Sequence, residues 1–181
     1  MITKISVRKV AFAGVIAALY AGLTLAVMPL SYGPVQLRIS EVLCILPFFF
    51  PFSVWGLFAG CIVANLFSPY LWLDITIGPV ASLLAALSTM YIGKMKSRER
   101  LPTKALACFP PVFFNAVLIG AMIGYILMSE GEAETFFPVF IASMFWVGIG
   151  QTVVLYAIGL PLMVYLPKTK LIDKLSNLYG K

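Results

Sequence analysis

Five long apolar runs dominate this chain: Val10–Met28, Ile39–Phe67, Ile75–Gly93, Ala105–Met128 and Phe136–Leu166. A helix needs roughly 20 apolar residues to cross a bilayer, and each run comes close to that length or exceeds it. With 61% hydrophobic and 11% charged residues, against about 25% charged in an ordinary soluble domain, the chain reads as an all-α integral membrane protein. Its length suits a single transmembrane domain over residues 1–181. The run from Val10 is too long for a signal-peptide core of about 7–15 residues and is expected to be a first span.

The second run carries Pro47 and Pro51, and "FPF" at 50–52 interrupts helical hydrogen bonding near its middle. Charge decides how to count it. Basic residues gather at Lys4, Arg8 and Lys9, at Lys94 to Lys104, and at Lys168 to Lys181. The positive-inside rule wants all three groups in the cytoplasm. An even number of crossings must then separate the first two groups, which requires splitting the second run at Pro51. The expectation is a bundle of six transmembrane helices, at approximately 8–28, 35–50, 52–67, 75–95, 104–128 and 136–166, with both termini cytoplasmic. Twelve of thirteen cations then lie inside, Arg38 being the exception, and five of seven acids lie outside. The second helix is short and is expected to start near Val35 in order to reach across.

The net charge of +6 does not make this a nucleic-acid binder, because the cations flank apolar runs instead of forming one patch. No histidine is present, which removes His-based acid–base chemistry and Ser–His triads. Cys44, Cys61 and Cys108 sit inside apolar runs and read as small buried hydrophobes. No metal or cofactor is expected.

Loops account for most of the charge. A shorter set needs another explanation: Gln36, Arg38, Glu41, Asn65, Asp74, Asn115 and Gln151. Ionisable groups within a membrane are costly and tend to face a cavity or a partner. Arg38 and Glu41, three apart on a helix, can pair with each other. They form either an ion pair near the headgroups or part of an outward-facing pocket. Asn115 and Gln151 each fall about 14 residues, roughly 21 Å, from the outer end of their helices. They suit either an interhelical hydrogen bond or a ligand. Asn65 could cap a helix end and Asp74 a helix start. Trp72, Trp146 and Tyr32 fit an interfacial belt or a stacking role. Taken together, carboxylates, amides and aromatics on one outer half suit a small, flat, hydrogen-bonding heterocycle.

The first helix is different. Ala13, Ala17 and Ala21 form one stripe, with Gly14, Ala18 and Gly22 beside it. Small residues four apart let another helix approach closely, either inside the bundle or on a second protein. No G-x-x-x-x-G-K-[ST] loop occurs, so ATP-driven work would need a partner.

The segments "YGPVQLRISEVLCILPFF", "GLFAGCIVANLFSP", "LDITIGPVASLLAAL" and the late "GLPL" resemble the QueT family over nearly the whole chain. Its members are substrate-binding S components of energy-coupling factor (ECF) transporters, assigned to queuosine precursors. The resemblance implies six helices and an outward pocket for a 7-deazaguanine such as 7-aminomethyl-7-deazaguanine, with queuine as a bulkier option. It implies a first helix that docks on a transmembrane coupling subunit shared with two ATPases. Gln151 stands where a glutamate after glycine is expected from that family. The rival readings are an S component for a flavin or thiamine, an intramembrane enzyme, and a structural assembly protein.

Overall fold

A computed structural model describes residues 6–33, 36–170, 172, 174 and 175. Helix α1 covers Val7–Ala26 and is followed by the single turn α2, Met28–Ser31. A 3-10 helix runs over Ile39–Phe48. Then come α3 (Ser53–Asn65), α4 (Leu71–Ile92), α5 (Leu101–Ser129) and α6 (Phe136–Thr152). The last helix continues through a π turn, Val153–Gly159, into α7 (Leu160–Tyr165) and a 3-10 turn at Leu166–Lys168. No strand occurs among the described residues.

Four of these units are long and apolar enough to cross a membrane: Val7–Ala26, Leu71–Ile92, Leu101–Ser129 and Phe136–Lys168. Ile39–Phe48 and Ser53–Asn65 are apolar but shorter. The chain interrupts its second apolar run between Phe48 and Ser53, where Pro51 sits. The short 3-10 unit recovers some reach from its geometry. At about 2.0 Å per residue its ten residues extend about 20 Å, where an α-helix would extend about 15 Å.

The start of that unit differs from expectation. Val35 lies outside the described residues, and the helix begins only at Ile39. Gln36 has a φ of 46°, a left-handed conformation that cannot extend a right-handed helix. Its N–H donates to the Gly33 carbonyl at 2.9 Å. Arg38, at φ −93° and ψ 105°, is extended.

Sequence neighbours pack side by side: α1 on α3, α3 on α4, α4 on α5 and α5 on α6. The 3-10 helix runs through their centre, touching α1, α3, α4, α5 and the π turn. The apolar side chains turned outward, among them Val15, Leu19, Trp55, Leu84, Phe113 and Phe145, suit contact with lipid tails. The α1–α3 seam is the tightest contact for the site. A Cβ on Gly60 would lie 2.8 Å from the Ala17 carbonyl oxygen and from Tyr20 Cβ, and one on Gly56 would lie 2.6 Å from the Ala13 oxygen. Two glycines four apart thus let the backbones nearly touch.

This seam divides the small-residue stripe of α1. Ala13, Ala17 and Ala21 turn towards the bundle, Ala21 fully buried and the other two partly so. The backbones of Ala13 and Ala17 lie against Gly56 and Gly60 of α3, the arrangement in which the stripe serves packing inside the bundle. Gly14, Ala18 and Gly22 remain exposed, and nothing lies within 4 Å of a Cβ placed on either glycine.

Candidate functional site

The polar residues converge around the N-terminal end of the 3-10 helix. Arg38 is 3% exposed and Asp74 1%. The Arg38 Nη2 atom lies 3.8 Å from Asp74 Oδ1, an ion pair within the bundle. Arg38 also donates from Nε to the Ser31 carbonyl at 3.2 Å, and its guanidinium lies 5.0 Å from the centre of the Tyr32 ring. Arg38 therefore pairs with Asp74 of α4, not with Glu41 as the spacing suggested. Its extended backbone takes the side chain off the face that Glu41 occupies.

Glu41 is held separately. Its Oε1 accepts the Tyr20 hydroxyl at 2.5 Å, while Oε2 accepts the Cys44 thiol at 3.1 Å and the Asn115 amide at 3.3 Å. In a 3-10 helix, residues three apart eclipse each other, which brings Cys44 under Glu41. Cys44, Cys61 and Cys108 are all free and buried, but Cys44 is more than a hydrophobe because its S–H has a carboxylate partner.

Asn65, the last residue of α3, reaches across to α4 and donates to the Asp74 carbonyl at 2.7 Å. It acts as a clamp between two helices, not as a cap on its own. Asp74 lies in the first turn of α4, where a carboxylate is favoured by the helix dipole, and takes the Ser68 hydroxyl as a donor. No side chain caps that helix start.

Gln151 is 2% exposed and sits two residues before the π turn. It makes no hydrogen bond to Asn115, which is turned towards Glu41. Trp72 and Trp146 are not brought to the cluster. Trp72 is 81% exposed at the start of α4 and Trp146 is 49% exposed on α6, and neither lines the cavity described below. Both helices turn those positions away from the centre.

Tyr20, Thr24, Ser31, Ser40 and Ser68 join the site without having been singled out in the sequence, and so does Tyr32, which was expected in a belt or stacking role. Thr24 and Ser40 share a hydrogen bond at 2.7 Å, Thr24 donates to the Tyr20 carbonyl at 2.8 Å, and Ser31 donates to the Thr24 carbonyl at 2.9 Å. Tyr20 and Thr24 are four apart and both buried, a polar stripe on α1 visible in the sequence. Tyr32 donates its hydroxyl to the Ala64 carbonyl at 2.7 Å. Burial pushes this phenol up to about 12, so it remains a donor at physiological pH.

A cavity of about 180 Å3 adjoins this network, lined on its polar side by Tyr32, Gln36, Ser68, Tyr70 and Asp74. Met122, Ile123 and Leu127 of α5 close the apolar side. Among the described residues, four buried side-chain polar atoms have no hydrogen-bond partner: Arg38 Nη2, Asp74 Oδ1, Asn65 Oδ1 and Gln151 Oε1. Such atoms normally find partners, and leaving one unmet costs about 1–3 kcal/mol. Among the described residues, no group of three His, Cys, Asp or Glu side chains is placed to hold a metal ion. Two larger grooves, near Leu160 and near Phe113, are open and almost wholly apolar.

The chain matches the QueT transporter family over residues 10–168. It is 35% identical over 72 residues to the queuosine precursor transporter QueT of Lactococcus lactis subsp. cremoris (strain MG1363). That alignment covers 39% of this chain and 42% of the relative. No solved structure matches. A buried polar cluster inside an apolar helical bundle, together with a family match that covers most of the length, makes the assignment direct: the chain belongs to the QueT transporter family.

Proposed function

We propose that this chain is the substrate-binding membrane subunit of an ECF-type importer that takes up a queuosine precursor, a 7-deazaguanine. The observation that carries this reading is a small cavity whose wall includes the buried Asp74 carboxylate, where Arg38 Nη2 and Asp74 Oδ1 face each other at 3.8 Å and neither makes a hydrogen bond. A planar base offers donors and acceptors on its edge, and such a ligand would meet them. The name of the Lactococcus relative supports the same substrate class. Ligand pockets for drug-sized molecules measure about 300–1,000 Å3. The 180 Å3 cavity favours a compact base such as 7-aminomethyl-7-deazaguanine over queuine, and over a flavin or thiamine.

In this reading the chain is not an enzyme. Asp74, Gln36, Ser68 and Tyr32 bind the base, Arg38 holds Asp74, and Glu41 and Asn115 form the floor below. Asn65 positions Asp74. ATP is hydrolysed by two partner subunits, and a transmembrane coupling subunit docks on the exposed face of α1 at Gly14 and Ala18. Calorimetric titration of the purified full chain with 7-aminomethyl-7-deazaguanine tests the substrate. Micromolar or tighter binding is expected, together with the same compound in mass spectra of gently extracted protein. Absence of binding overturns the reading.

The same proposal has six crossings in the bacterial plasma membrane, with both termini cytoplasmic. Cysteines introduced in the 95–103 loop are then expected to resist membrane-impermeant reagents in intact cells and to react after permeabilisation. Labelling in intact cells would overturn the orientation.

A further inference from the structure

Four charged side chains are buried among the described residues: Arg38, Glu41, Asp74 and Lys104. Lys104 belongs to the opposite end of the bundle, in the first turn of α5, where it pairs with Glu99 at 3.6 Å. The remaining three comprise one cation and two anions. Arg38 is committed to Asp74. Glu41 has no cation within ion-pair distance among the described residues, and its oxygens receive an O–H, an S–H and an N–H from neutral groups. Such dipoles hold a negative charge in place without cancelling it. The formal sum of the trio is −1, in an apolar setting that screens charge far less than water does.

The titratable groups facing the trio do not restore balance. They are Tyr20 from α1, Tyr32 from the connection after α2, Cys44 from the 3-10 helix and Cys61 from α3. Tyr70 lies beside Asp74 at the cavity, and α5 offers only the neutral amide of Asn115. None of these is a cation. The cavity wall itself contains the Asp74 carboxylate and no basic residue.

We propose that Glu41, one layer beneath the cavity and absent from its wall, is the specificity-determining residue that selects a ligand bearing one positive charge. This rests on the deazaguanine reading and narrows it to bases that carry a protonated amine. The amine would lie against Asp74, and its charge would bring the buried sum to zero. Glu41 then acts through its field and not by contact, since its oxygens are already occupied. Glu41 is three residues, one 3-10 turn or about 6 Å of rise, from Arg38, which pairs with the Asp74 carboxylate of the cavity wall, so its charge acts across a separation taken as about 10 Å. A unit charge at that range, with an effective dielectric of about 20, changes affinity on the order of tenfold.

The test is calorimetric titration of the purified full chain with 7-aminomethyl-7-deazaguanine and with its uncharged 7-cyano counterpart. Wild type is expected to prefer the amine by at least about tenfold. Glu41→Gln should reduce that preference about tenfold by weakening the amine alone, and Glu41→Asp should retain it. A purely structural role would weaken both compounds together and leave their ratio unchanged, which overturns the proposal. Equal binding of the two by wild type overturns it as well, without relying on any variant. If neither compound binds, the deazaguanine reading fails and this inference falls with it.

Discussion

Arg38→Met is expected to destabilise the protein by about 3–5 kcal/mol, because removing one partner of a buried ion pair leaves the other uncompensated. Here the effect is compounded. Asp74 loses its cation, and Glu41 already has none within ion-pair distance among the described residues. For a chain of this size the unfolding midpoint in detergent should fall on the order of 10 °C. The double variant Arg38→Met, Asp74→Leu should recover much of that loss, since an apolar pair of similar bulk can replace a buried ion pair at little net cost. Binding of 7-aminomethyl-7-deazaguanine should remain weak in the double variant, because the carboxylate proposed to meet it is gone. A midpoint within about 1 °C of wild type in Arg38→Met would mean that water reaches the pair and the buried-charge account is wrong.

The second large effect is expected at the α1–α3 seam. Gly60→Val places branched carbons where a single Cβ would already sit 2.8 Å from the Ala17 carbonyl oxygen and Tyr20 Cβ. Backbone cannot yield as a flexible side chain does, so the helices must separate, at more than about 3 kcal/mol. The purified variant should aggregate or melt early, and fluorescence-detected gel filtration would show it. Gly14→Leu, on the same α1 helix but with nothing within 4 Å of its Cβ position, should stay within about 0.5 kcal/mol of wild type. It should also retain ligand binding while uptake with the coupling module is lost, if the exposed face receives the coupling subunit. A well-behaved Gly60→Val protein would refute the close-approach argument. Normal uptake by Gly14→Leu would remove the partner from that face.

Hydropathy was enough to reveal the apolar helices, and Pro51 the break in the second run, because both depend on local chemistry. The polar residues deserving attention were equally visible, since Arg38, Glu41, Asp74, Asn65, Asn115 and Gln151 stand out against an apolar background. Their partners were not. The pairing of Arg38 with Asp74 spans 36 positions and depends on an extended Arg38, whereas the i, i+3 rule assumes that both residues lie in one helix. Tyr20 escaped notice because a tyrosine among Ala, Leu and Gly reads as apolar filling. Its role depends on α3 packing so closely that α1 sits over the 3-10 helix. Trp72 and Trp146 show the opposite case, standing exposed and away from the cavity. Composition shows that large aromatics exist, but only the rotation of each helix decides whether they face a cavity or the outside.

The two faces of α1 have a mechanical consequence. Gly14, Ala18 and Gly22 lie bare on one side, while on the other the Tyr20 phenol holds Glu41 at 2.5 Å. A hydrogen bond of this kind is lost beyond about 3.5 Å. The bare face and the buried carboxylate are therefore joined through one short bond, and only a shift that draws Tyr20 about 1 Å away from Glu41 would release it.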